Sequence, residues 1–131
     1  MNRHQERAQV FLFMFEKEFH DHSLNEIIEA KKMSEDIEVS EFAKKVFCGI
    51  EGNRAKIDDL IERNIVGWNK DRLSKVTISI LRIAIYEMIF EELIPISVSI
   101  NEAVELAKKY GTSEDAAFVN GVLGTIAKDI S

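Results

Sequence analysis

One proline, one cysteine, one tryptophan and six glycines are all that 131 residues hold of those types, no Asp-Gly pair occurs, and the one Asn-Gly, Asn120-Gly121, lies inside a helical apolar pattern of Phe118, Val122 and Ile126 rather than between two strand-like runs. Hairpin signals and frequent breakers are therefore missing, which leaves little from which to build a sheet of short strands. The lone thiol, Cys48, cannot close an internal disulfide, in keeping with a reducing cytoplasm. The longest unbroken apolar run, Val10–Phe15, is six residues and meets Glu16, Lys17 and Glu18 at once, whereas a signal peptide or a membrane span needs a much longer one. Positive charge is also short: 17 Lys and Arg face 23 Asp and Glu, for a net charge of −6. That excludes a protein that coats nucleic acid through a bulk basic field and leaves only local basic patches. No P-loop, G-x-S-x-G or dinucleotide fingerprint is found, so an enzyme is the weakest class of reading. Fixed-period repeats and low-complexity segments are absent as well.

What is present is apolar periodicity. With 46% hydrophobic residues the chain can bury a core without metal or disulfide staples, and its apolar residues recur three and four apart, which predicts an all-α protein. A first helix is expected from Arg3 to Phe19, with Val10, Phe11, Met14 and Phe15 inward and Phe13 as an extra aromatic. Ser23 and Glu26 fit a capping box for a second helix ending near Ser34. A third stretch from Ser40 to Ile65 is weakened at Gly49 and Gly52, where a kink or close packing is expected rather than a break. Gly67 to Lys70 reads as a linker, with Trp68 as a plug between the halves. From Asp71 to about Leu93 the chain is apolar nearly all round, the mark of a central buried helix. Pro95 stops it, Ser99 and Glu102 are expected to cap a helix Ile100–Tyr110, and Ser113 to cap the last one. Gly121 and Gly124 in that last helix suggest tight packing against the central one.

Several constellations could carry chemistry. Glu16, His20, Asp21 and His22 could be imagined around a metal, but a closed zinc site draws four ligands from separated elements, and a solvated helix end is the preferred reading. The pairs Asp58 and Asp59, Glu91 and Glu92, and Glu35 and Asp36 are adjacent and so point to different helix faces, unlike an acid/base dyad. Cys48, in an apolar stretch, reads as a buried structural thiol. Glu87 lies inside the most apolar helix and must find a partner or shift its pKa, either in an internal ion pair or at a binding rim. At the N-terminus Arg3 and Arg7, four apart with His4 beside them, place two guanidinium groups on one side of a helix, a geometry suited to phosphate.

Taken in order, "ILRIAIYEM" (Ile80–Met88), "IPISVSINEAVELAKKYG" (Ile94–Gly111) and "FVNGVLGTIAK" (Phe118–Lys128) resemble the signature segments of the bacterial transcription antitermination family NusB. The opening "MNRHQERAQVFLFMF" resembles that family's arginine-led first helix, with Gln5 and Glu6 where relatives carry more arginine. The resemblance implies a single all-α domain of about six to seven helices in two packed bundles, about 1–68 and about 69–131. It implies binding of boxA RNA together with the ribosomal protein NusE, within an elongation complex of RNA polymerase and other Nus factors on ribosomal RNA operons. Catalytic residues, cofactor, metal and membrane are not implied; a homodimer, through apolar excess at Phe13 or Phe90, stays open. On this reading Arg3, His4 and Arg7 grip phosphate and Phe118 lies at the RNA, although helix packing accounts for Phe118 equally well. Exposed positions around Tyr86, Glu87 and Glu114 would meet the basic partner. Asn101 and Asn120 match family positions; Asn120, in a helix packed by glycines, is expected to be a buried hydrogen bonder, and Asn101, two positions after the Ser99 cap, to belong to the loop geometry. Two rivals remain: a protein-only adaptor with little RNA affinity of its own, and a stand-alone RNA-binding module of this type linked to ribosomal RNA processing.

Overall fold

Side-chain caps set most helix boundaries. In the computed structural model, which describes residues 1–34 and 37–131, Asn2 and Gln5 each accept from the other's backbone N–H, and α1 runs Arg3–Phe19. Ser23 and Glu26 form the expected box ahead of α2, Leu24–Ser34. Glu35 and Asp36 lie outside the described residues. Ser40 caps α3, Glu41–Gly52, by accepting from the Ala43 N–H.

The long third stretch is in fact broken. α3 ends at Gly52 and α4, Arg54–Asn64, begins after Asn53, whose backbone leaves helical geometry and whose side-chain amide donates to the Gly49 carbonyl at 2.8 Å. A glycine followed by an asparagine that satisfies the preceding turn's carbonyl is enough to end a helix. The central helix is also shorter than expected: a 3-10 turn, Lys70–Arg72, precedes it, Ser74 accepts from Thr77 as its cap, and α5 runs Lys75–Phe90. α6, Ile96–Tyr110, starts a turn earlier than expected, with Pro95 at its cap and Ser99 inside it, because proline is pre-set for a helix start and needs no N–H partner there. α7, Ser113–Ile130, is capped by Thr112 in a reciprocal box with Asp115, not by Ser113.

α5 is the axis. Every residue from Thr77 to Glu87 is buried, and the helix packs on α1, α3, α4, α6 and α7 within one continuous apolar core. Phe13, a spare aromatic by periodicity, is 1% exposed and part of that core, so it offers no surface to a second copy. Phe11 stacks on Tyr110 with centroids 4.6 Å apart, fastening α1 to the end of α6. α7 packs through Ala116, Val119, Val122, Leu123 and Ile126, whereas a Cβ at Gly121 or Gly124 would meet nothing within 4 Å; the close approach expected at those glycines is not made. No helix among the described residues is long and apolar enough to cross a membrane.

The one arginine in the middle of α5, Arg82, joins three helices. Its Nε and terminal nitrogen donate to the two Asp58 oxygens of α4 at 2.9 and 3.1 Å, and its other nitrogen donates to Glu18 of α1. Burial alone would raise the Asp58 pKa, but the hydrogen bonds and charges of Arg82 and Lys70 outweigh it and hold the carboxyl below its ordinary 3.8. A depressed folded pKa contributes stability that is fully present above the unfolded value and lost as pH falls through the folded one. Urea midpoints should therefore fall as the pH drops below about 4, and Asp58→Asn should flatten that part of the profile. An unchanged profile in Asp58→Asn would remove this carboxylate from the acid transition.

Candidate nucleic-acid interface

The first turn of α1 splits its basic residues between surface and interior. Arg3 is exposed, its guanidinium carbon 3.8 Å from the centroid of the Phe42 ring on α3 and one nitrogen 3.5 Å from Glu6. Stacking on an aromatic face holds the fork in place while leaving its edge free for phosphate oxygens. Lys45 of α3, near enough for its charge to act against Arg3, pairs with Glu91 at 2.8 Å and has its pKa raised by that hydrogen bond and charge. His4 is exposed and its Nδ1 lies 2.7 Å from Glu102 of α6. A carboxylate only accepts, so Nδ1 carries the proton, and Nε2 can donate to a phosphate only when the ring is doubly protonated.

Arg7 is not part of that surface. It is 4% exposed, and its Nε and a terminal nitrogen donate to the two oxygens of Glu87 at 2.8 and 2.9 Å. Glu87 is 1% exposed and also accepts from the Ser99 hydroxyl at 3.1 Å. Of the two fates open to Glu87, the internal ion pair is the one realised, and it consumes Arg7. Both were expected at the surface; facing each other across α1 and α5 in an apolar core, they satisfy one another's charge and leave no free edge for phosphate or protein. Tyr86 is likewise interior: its ring covers Gly49 of α3, and burial together with the nearby Glu91 raises its phenol pKa.

Phe118 and Glu114 sit elsewhere. They line a cleft of about 240 Å³ with Trp68, Arg72, Leu73, Ser74, Thr77 and Asp115. Thr77 is ten residues before Glu87 on α5, so this cleft and the Arg7 pair are about 15 Å apart along the helix axis. The structure thus brings Arg3 and His4 to one end of α5, and Phe118 and Glu114 to the other. Glu114 is exposed and Phe118 half-buried, one turn apart on α7.

Trp68 is the residue that sequence reasoning misplaced. It is 62% exposed and meets Phe118 edge to face, centroids 5.4 Å apart at 65°, rather than plugging the interior. The signal was available: Asn69, Lys70 and Asp71 follow it, so it belongs to no apolar stripe that could be buried. Cys48 is exposed, since α3 turns Val46, Phe47 and Ile50 inward instead. Asn120 is exposed on α7 rather than buried, and Asn101 is an exposed residue within α6 rather than part of a loop. His20 and His22 stack on each other at 5.4 Å in solvent, and among the described residues no three His, Cys, Asp or Glu side chains converge as metal ligands.

Comparison with known proteins agrees along the whole chain. Residues 4–128 match the sequence profile of the NusB family. The transcription antitermination protein NusB of Clostridium novyi is 41% identical over 98% of this chain and 99% of its own length. That of Agathobacter rectalis is 43% identical over 97% of this chain and 100% of its own. Among solved structures, T. maritima NusB superposes with a TM-score of 0.86 at 40% identity, covering 98% of this chain and 92% of that one. A structure of antitermination factors NusB and NusE in complex with dsRNA matches with a TM-score of 0.84 at 28% identity, covering 98% of this chain and 99% of that one.

Proposed function

The chain belongs to the NusB family, and on that premise we propose that it is a transcription antitermination factor that binds boxA RNA jointly with NusE and catalyses nothing. The observation that carries the RNA part is the exposed Arg3 guanidinium held over the Phe42 ring, with the exposed Lys45 near it, on a chain of net charge −6. The rest of the acidic surface suits a basic partner, for which complementary potential speeds encounter and fixes register. Glu114 contributes to that surface, and because it shares a cleft with Phe118, RNA and NusE would meet there. Arg7, Tyr86 and Glu87 support both contacts from inside by holding α1 and α3 on α5. The division into helical halves near residue 68 belongs to the same reading.

The test is anisotropy of labelled boxA RNA, with a scrambled strand as control, titrated at two salt concentrations with the chain alone and with NusE. With Arg7 buried, about two phosphate contacts remain, so the log-log salt slope on single-stranded RNA should be about −1.4. Selective binding that tightens strongly with NusE is the expected result. Arg3→Glu should weaken it several-fold and lower the slope by about 0.7, with helicity unchanged. The burial of Arg7 favours one alternative, an adaptor that holds NusE while NusE holds the RNA. Equal, weak binding of both RNAs in the presence of NusE, indifferent to Arg3→Glu, would select that adaptor.

A further inference from the structure

Large aromatic side chains are normally the first to be buried, and a tryptophan with more than half its surface in solvent forgoes that gain. Trp68 does so from a fixed backbone: its N–H donates to the Ile65 carbonyl at 2.9 Å, and Gly67, at φ 82, supplies the left-handed turn before it. The indole therefore stands at a set position, edge-on to Phe118 of α7, with Val66 92% exposed next to it. Two aromatic rings from separate elements, over an open cleft whose wall carries Arg72, Ser74 and Thr77 on one side and the carboxylates of Glu114 and Asp115 on the other, make a preformed apolar surface with polar groups close by. A protein partner would be expected to meet a wider apolar patch; a planar, polar-edged ring meets this one better, because base–aromatic stacking needs only one or two ring faces and a nearby cation for the backbone.

We propose that Trp68, backed by Phe118, is a stacking platform for one unpaired base of single-stranded RNA, with Arg72 placed for an adjoining phosphate. The site rests on the RNA-binding reading above and adds to it a second anchor, at the other end of α5 from Arg3. An RNA that used both would lie along α5 rather than wrap its arginine end.

As Trp68 is the only tryptophan, its emission reports on this site alone. The experiment titrates the full chain, with NusE present, with single-stranded boxA RNA while recording Trp68 emission, corrected for the same RNA added to NusE alone, and in parallel the anisotropy of a dye on the RNA. The same strand annealed to its complement serves as the duplex control. Single-stranded RNA should quench Trp68 in step with the anisotropy, and the duplex should not. Trp68→Ala should weaken binding about tenfold, the scale of one lost stack, while Trp68→Phe keeps most of the affinity; circular dichroism checks that both variants fold. If the RNA binds but emission is unchanged and Trp68→Ala binds as well as the parent, the stacking site is overturned and the antitermination reading stands. Quenching produced by NusE alone, with no further quenching when the RNA binds, would assign the Trp68 face to the protein partner and overturn the proposal. Failure of any RNA to bind with NusE present would overturn both.

Discussion

Arg7→Ala should lower folding stability by about 3–5 kcal/mol, a large part of the total for a chain of this size. The magnitude follows from what the substitution leaves behind. Glu87, 1% exposed and surrounded by the core of α5, would lose both guanidinium hydrogen bonds and its only close countercharge, keeping just the Ser99 hydroxyl. A buried carboxylate so stranded must either stay charged at high cost or take up a proton. The double change Arg7→Met with Glu87→Leu removes both charges at similar volume and should recover most or all of the loss, since breaking such a pair costs far more than replacing it. Urea denaturation followed by circular dichroism at neutral pH measures all three. A cost under about 1 kcal/mol for Arg7→Ala would mean that water reaches Glu87 and that the pair is not sealed. The result also governs how RNA data are interpreted: loss of binding in an Arg7 variant would reflect a displaced α1, whereas loss in Arg3→Glu would reflect the grip itself.

Gly49→Ala should be the next most damaging single change, at about 2–3 kcal/mol. On an isolated helix, alanine in place of glycine is worth about 1 kcal/mol in favour of the variant. Here the sign reverses, because an added Cβ would overlap the Tyr86 ring, whose nearest atoms lie inside contact distance of that position. Tyr86 is 6% exposed and braced by Phe90, centroids 5.1 Å apart, so it cannot swing out without opening the α3 and α5 contact. Combining Gly49→Ala with Tyr86→Leu should restore part of the loss by vacating the ring's place. The same substitution at Gly52, where a Cβ would meet nothing, should change stability by less than about 1 kcal/mol. Thermal or urea midpoints compared across these variants check it; equal effects at 49 and 52 would show that the ring yields freely.

Local order was legible in the sequence wherever partners are close in the chain. The box of Ser23 and Glu26, the span of α1, the burial of α5 and the close packing at Gly49 could all be inferred from spacing and composition. Spacing misled where one pattern serves two purposes. Ser99 and Glu102 are as well spaced for a cap as for two inward turns of a helix begun at Ile96, and they turn out to serve Glu87, Arg7 and His4 instead. The candidate site suffered most, because exposure is decided by distant residues. Nothing near Arg7 in the chain distinguishes it from Arg3, and only Glu87, brought up on α5, makes one interior and the other surface. Trp68 was misread in the opposite direction, since its large apolar side chain outweighed its polar sequence neighbours.

The bonds that seat the first turn of α1 span 80 positions from Arg7 to Glu87 and 98 from His4 to Glu102. A chain is synthesised from its N-terminus at about 5–20 residues per second. During translation Arg3 can meet Phe42 of α3 early, whereas Arg7 has no partner for several seconds, until α5 has left the ribosome. One of the first residues made is thus among the last to be locked, and a nascent or truncated chain ending before Glu87 would carry the Arg7 guanidinium loose, free to contact the ribosome's own RNA.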